Sequence, residues 1–145
     1  MLFKNEEASL KLEVVNYEFP PDGGAAGSDD RNWLVLRCMW VNEDGEVRKD
    51  SNSCLLTYEM RELAAGLKVL RAGIREEYHS DFLEPYFQLD AWAKGNEFLM
   101  RVLFVLPNTM DGDDTAELEC MMDEEQLRIL IEELDRLCEK YPDRS

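Results

Sequence analysis

The chain has 145 residues, 45% of them hydrophobic, with 16 Lys and Arg against 32 Asp and Glu for a formal charge of −16. That length and apolar content suffice to bury one core, so residues 1–145 read as a single domain and wholesale disorder is excluded. Phosphate attracts Lys and Arg, so nucleic acid and anionic membranes are excluded as partners, and the charge has two readings: attraction of a basic protein, or solubility alone.

No stretch approaches the roughly 20 apolar residues of a membrane-crossing helix. Charge in Met1-Leu2-Phe3-Lys4-Asn5-Glu6-Glu7 stands where a signal peptide needs its apolar core, so a cytoplasmic location is expected. Cys38, Cys54, Cys120 and Cys138 are scattered singly with no Cys-x-x-Cys, which predicts packed free thiols rather than disulfides or ligands.

Leu10, Leu12 and Val14 alternate with Lys11 and Glu13, the period of a half-buried strand. Phe19-Pro20-Pro21-Asp22-Gly23-Gly24 ends it, and a loop rich in Gly, Asp and Ser runs to about Arg31. Asn32 to Val41 is apolar on nearly both faces, which predicts a central strand. The Asp44-Gly45 turn then leads to a polar edge strand from Glu46 to about Asp50. Thr57 is placed to cap a helix to about Ala72, with Met60, Leu63, Ala64, Leu67 and Leu70 on its apolar stripe.

Three more strands are predicted, over Phe82 to Trp92, Glu97 to Leu106 and Ala116 to Met122, with Lys94-Gly95-Asn96 as the turn between the first two. Both faces of the Glu97 to Leu106 segment are largely apolar. Asp123 and Gln126 form a capping-box pattern for a last helix, whose stripe is Leu127, Leu130, Ile131, Leu134, Leu137 and Cys138 and which Pro142 stops. No sequence repeat is evident. The expected fold class is α+β, an antiparallel sheet of about five to six strands covered by two helices.

Nothing in the sequence assembles a catalytic or metal centre. His79 is the only histidine, and its polar setting, Glu77-Tyr78-His79-Ser80-Asp81, reads as surface. Asp22-Gly23-Gly24-Ala25-Ala26-Gly27 lacks the Lys-Ser/Thr of a phosphate cradle, and Asp111-Gly112-Asp113-Asp114 lacks the spacing of a calcium loop. No cofactor is implied, and the protein reads as a binding domain rather than an enzyme.

One charge feature rises above the average. Between Asn108 and Leu127 there are eight acids and no Lys or Arg. If a strand over Ala116 to Met122 buries Leu118, Cys120 and Met122, then Glu117 and Glu119 point outward together. Asp111, Asp113, Asp114, Glu117 and Glu119 are therefore the candidate partner-binding residues. The competing reading is a solvated turn followed by a helix start, whose dipole suits Asp123, Glu124 and Glu125.

Several short segments, in order, carry a resemblance: Val15-Asn16-Tyr17-Glu18-Phe19-Pro20, Asp30-Arg31-Asn32-Trp33-Leu34, Cys54-Leu55-Leu56-Thr57-Tyr58-Glu59-Met60, Phe82-Leu83-Glu84-Pro85, Leu134-Asp135-Arg136-Leu137 and Tyr141-Pro142-Asp143-Arg144. Together they resemble the WapI-type bacterial immunity proteins of polymorphic toxin systems. The resemblance implies a cytoplasmic domain that binds and neutralises a secreted toxin's C-terminal domain, often a nuclease, and so a basic protein partner. Two other readings stay open at this level. One is an interaction domain for some other protein, and the other is a small-molecule binder near Trp33, Trp40 or Trp92, residues otherwise read as core.

Overall fold

The computed structural model describes residues 1–25, 28–107 and 114–144. It contains eight strands and two helices among those residues: β1 (Leu2–Lys4), β2 (Ser9–Tyr17), β3 (Trp33–Val41), β4 (Val47–Leu56), α1 (Thr57–Arg71), β5 (Glu77–His79), β6 (Phe87–Lys94), β7 (Glu97–Leu106), β8 (Asp114–Asp123) and α2 (Glu124–Lys140). The fold is α+β, as the patterns predict. The strands form two four-stranded antiparallel sheets, β1-β2-β3-β4 and β5-β6-β7-β8, instead of the single sheet of about five to six strands. Period-two alternation identifies strands, but it carries no record of which strand pairs with which.

The topology repeats although the sequence does not. Each half is a four-stranded meander that runs without a loop into a helix: β4 ends at Leu56 and α1 starts at Thr57, while β8 ends at Asp123 and α2 starts at Glu124. The inner faces of both sheets and the apolar stripes of both helices make one core. It includes Phe3, Leu10, Leu12, Leu34, Leu36, Phe87, Phe104, Leu63, Leu67, Leu127 and Leu134.

Turn and cap chemistry fixes the element ends. Gly45 (φ 78°) and Gly95 (φ 63°) take left-handed conformations that a side chain would strain, closing the β3–β4 and β6–β7 hairpins. Asp123 Oδ1 accepts from Gln126 N at 2.7 Å while Gln126 Oε1 accepts from Asp123 N at 2.8 Å, completing the predicted capping box of α2. At α1 the cap differs from expectation. Leu56, not Thr57, is the capping residue, and the buried Glu59 carboxylate reaches back to accept from Leu56 N at 3.0 Å.

Other elements also depart from their predicted bounds. The short strands β1 and β5 have too few residues to display a period. The expected strand over Phe82 to Trp92 begins only at Phe87, because Leu83 N donates to Glu59 Oε2 at 2.7 Å and Pro85 has no N–H to offer a ladder. β4 is an edge strand as predicted, but it continues to Leu56, where Cys54-Leu55-Leu56 turn into the core. Trp33, Trp40 and Trp92, expected in the core, are all half-buried. Cys38, Cys54 and Cys120 are buried free thiols and Cys138 is half-buried; burial pushes the Cys38 and Cys54 thiols up to about 12.

Candidate functional site

β7 is one of the two interior strands of the second sheet and carries its outer face. Its alternation sends Phe98, Met100, Val102, Phe104 and Leu106 inward and leaves Leu99, Arg101, Leu103 and Val105 on the other side. Register aligns these with their neighbours in rows. Trp92, Leu99 and Met121 form one row, Asp90, Arg101 and Glu119 the next, and Gln88, Leu103 and Glu117 a third. β5 extends the first two with Glu77 beside Trp92 and His79 beside Asp90.

The charged row runs across all four strands, with Arg101 between the carboxylates Asp90 and Glu119 and His79 beside Asp90. His79 Nδ1 lies 2.7 Å from Asp90 Oδ1, and Arg101 Nε donates to Glu119 Oε1 at 3.2 Å. The Arg101 guanidinium also sits 5.2 Å from the centre of the Trp92 ring, which meets the His79 ring in a T-shaped contact with centres 5.5 Å apart. Asp90 beside His79 raises the imidazole above its ordinary value of 6.5. With Arg101 so engaged, Glu117 is left without an ion-pair partner among the described residues.

At one end this face opens into a groove of about 180 Å³ between β1, β8 and α2, lined by Leu2, Lys4, Met121, Gln126, Ile129 and Glu133 among others. Leu2, Met121 and Ile129 are 52%, 44% and 49% exposed, a local concentration of large apolar side chains in water. The β1–β2 turn is tied to the rim by Asn5 Nδ2, which donates to Glu119 O at 3.0 Å.

The candidate residues separate by position. β8 buries Ala116, Leu118, Cys120 and Met122 and exposes Glu117 and Glu119, so those two carboxylates stand on the outer face together. Asp114 has the opposite parity and forms an ion pair with Arg48 of β4, which takes it away from that face. Asp111 and Asp113 lie outside the described residues. Leu99, Leu103 and Met121 are absent from every site the sequence offers, and Trp92 enters only the small-molecule reading; the apolar second face of Glu97 to Leu106 is the signal that points to Leu99 and Leu103. Among the described residues, no three metal-ligating side chains converge, and His79 is exposed.

Three of the segments that carry the resemblance meet at a different corner. Asn32 Nδ2 donates to Arg144 O at 3.0 Å and Asn32 Oδ1 accepts from Arg144 N at 2.6 Å, while the Arg144 guanidinium stacks 3.3 Å from the Tyr17 ring centre. Tyr17 Oη donates to Pro142 O at 2.6 Å, and Arg61 binds both Asp143 oxygens at 2.9 and 3.0 Å. These contacts anchor the C-terminal segment to β2 and α1, a structural task. The sequence as a whole matches the family described as immunity protein WapI-like over residues 1–142. The chain belongs to the WapI-like immunity protein family.

Two further likenesses accompany that membership. The chain is 36% identical over 80 residues to the UPF0325 protein YaeH of Escherichia coli, a match that takes in 52% of this chain and spans 59% of YaeH. Its structure is similar to that of WHY3 from Arabidopsis thaliana, with a TM-score of 0.50, 16% identity and coverage of 97% of this chain and 86% of that one. At that identity the likeness concerns the fold alone. No helix among the described residues is long and apolar enough to cross a membrane.

Proposed function

We propose that this WapI-like immunity protein neutralises the toxin domain of a polymorphic or contact-dependent toxin by binding it, without catalysis and in the cytoplasm. Its partner is a basic, nuclease-like domain held against the outer face of β6, β7 and β8. The observation that carries this reading is the juxtaposition on β8 of the exposed acids Glu117 and Glu119 with the exposed apolar Met121. Interfaces draw their affinity from a few apolar anchors and their encounter rate from complementary charge, and this face offers both. A nuclease must attract phosphate, so its own site is cationic and complements carboxylates.

The test is co-expression with toxin domains from the same source, followed by binding of a catalytically inactive toxin domain. Wild type is expected to restore growth. The Glu117→Lys, Glu119→Lys double variant is expected to fold normally and to associate on the order of tenfold more slowly at low ionic strength. If wild type relieves the killing of none of these domains, the immunity reading fails. If the double variant binds as fast as wild type, this face is not the interface.

A further inference from the structure

The outer face of the first sheet has the opposite charge. Register places Lys11, Met39 and Lys49 directly across β2, β3 and β4, with Glu13, Arg37 and Ser51 in the adjoining row. Lys11, Glu13, Arg37, Met39 and Lys49 line a concavity of about 340 Å³ on that face. Among the described residues Glu13 is its only carboxylate, and it is shared: Lys11 Nζ lies 2.9 Å from Oε1 and Arg37 Nη2 lies 2.7 Å from Oε2. Arg37 foremost, with Lys11, holds that carboxyl down to about 2, so it stays ionised throughout the ordinary pH range. One negative charge thus faces three positive ones. Lys49 makes no ion pair among the described residues.

In a chain with twice as many acids as bases, three cations around one carboxylate on adjoining rows of a single face stand out against the average charge. We propose that this concavity is a binding site for a compact organic or inorganic polyanion carrying carboxylate or phosphate groups, which Lys11, Arg37 and Lys49 hold while Met39 packs beneath it. The volume is that of a small-ligand site. A net charge of −16 repels an extended polyanion, whereas a small one is screened from most of the molecule beyond about 8 Å and feels the local cations. The guanidinium of Arg37 spends one nitrogen on Glu13, leaving further donors for an incoming anion. This site is independent of toxin binding, which is read on the other sheet.

Methyl NMR of the full chain labelled at methionine tests the proposal, with the Met39 resonance assigned by its loss in Met39→Leu. Citrate, pyrophosphate and inorganic phosphate are titrated separately at constant ionic strength. The Met39 methyl is expected to shift with saturation in the millimolar range, and Lys49→Ala to weaken that response about tenfold. A response to citrate alone assigns carboxylate ligands, and one to the phosphates alone assigns phosphorylated ones. The proposal is overturned if Met39 is unmoved by all three probes at roughly 20 mM. It is overturned equally if chloride at matched ionic strength has the same effect, or if Lys49→Ala responds like wild type.

Discussion

The ring of Tyr78 lies directly on the backbone of Gly66: a Cβ added to that glycine would fall 2.2 Å from Tyr78 Cε1 and 2.3 Å from Cδ1. The contact joins β5, only three residues long, to the middle of α1. Burial of Tyr78 pushes its hydroxyl up to about 12. In an isolated helix Gly→Ala gains about 1 kcal/mol. Here Gly66→Ala is expected to destabilise by about 1–3 kcal/mol, since the ring must leave its place. In a Tyr78→Ala background the same substitution should be stabilising. Urea melts of the four proteins in the cycle check this, and a stabilising Gly66→Ala in the wild-type background would sink it.

Glu59 is 3% exposed and uses its two carboxylate oxygens on separate backbone donors, Leu56 N and Leu83 N. One contact caps α1 and the other holds the segment entering β6. Burial raises the carboxyl above its usual range, against the pull of both bonds. Glu59→Ala leaves two donors unpaired and is expected to cost about 2–4 kcal/mol. Thermal unfolding measures it; a loss below about 0.5 kcal/mol would mean that water replaces the carboxylate.

Asn32 is 8% exposed and clasps the backbone of Arg144 from both sides. Asn32→Ala is expected to cost about 1–2 kcal/mol and to raise hydrogen exchange or proteolysis after Tyr141 before the rest of the chain. Uniform loss of protection across the domain would contradict that local role.

Along α2, Leu134 is fully buried while Glu132 is exposed and, among the described residues, bridges only to Arg128, at 2.5 Å. Leu134→Ala is expected to cost on the order of 2–5 kcal/mol, and Glu132→Ala about 0.5 kcal/mol or less. Equal costs would place the wrong face of the helix in the core.

The His79–Asp90 contact makes a pH-dependent contribution with a defined sign. The folded-state pKa is raised above 6.5. The stabilisation is therefore complete below about 6.5 and lost as pH rises through the folded value. Both side chains are solvent-accessible, so it amounts to roughly 0.5 kcal/mol or less. An NMR titration of His79 should have its midpoint above 6.5 in wild type and at a lower pH in Asp90→Asn, where Glu77 still lies 3.5 Å from Nε2. A midpoint unaffected by that substitution would show that Asp90 does not hold the imidazole.

Local sequence determined much of this protein because the relevant physics is local. Hairpin glycines at 45 and 95, the Asp123–Gln126 cap and the stripes of α1 and α2 are legible from spacing, since each depends on neighbours within a turn. The parity of β8 likewise sets Glu117 and Glu119 on one side and Leu118 and Cys120 on the other. Pairing is different in kind, because a strand's pattern says only that one face is buried, not by what. Tertiary structure alone divided the strands into two sheets, moved the cap of α1 from Thr57 to Leu56, whose N–H donates to the Glu59 carboxylate, and gave Asp114 to Arg48. It also brought Trp92, Leu99 and Met121 into one row beside Glu119, and Lys11, Met39 and Lys49 into another on the opposite sheet. Those rows join residues from distant parts of the chain, and what aligns them is hydrogen-bond register, which exists only once the strands have met.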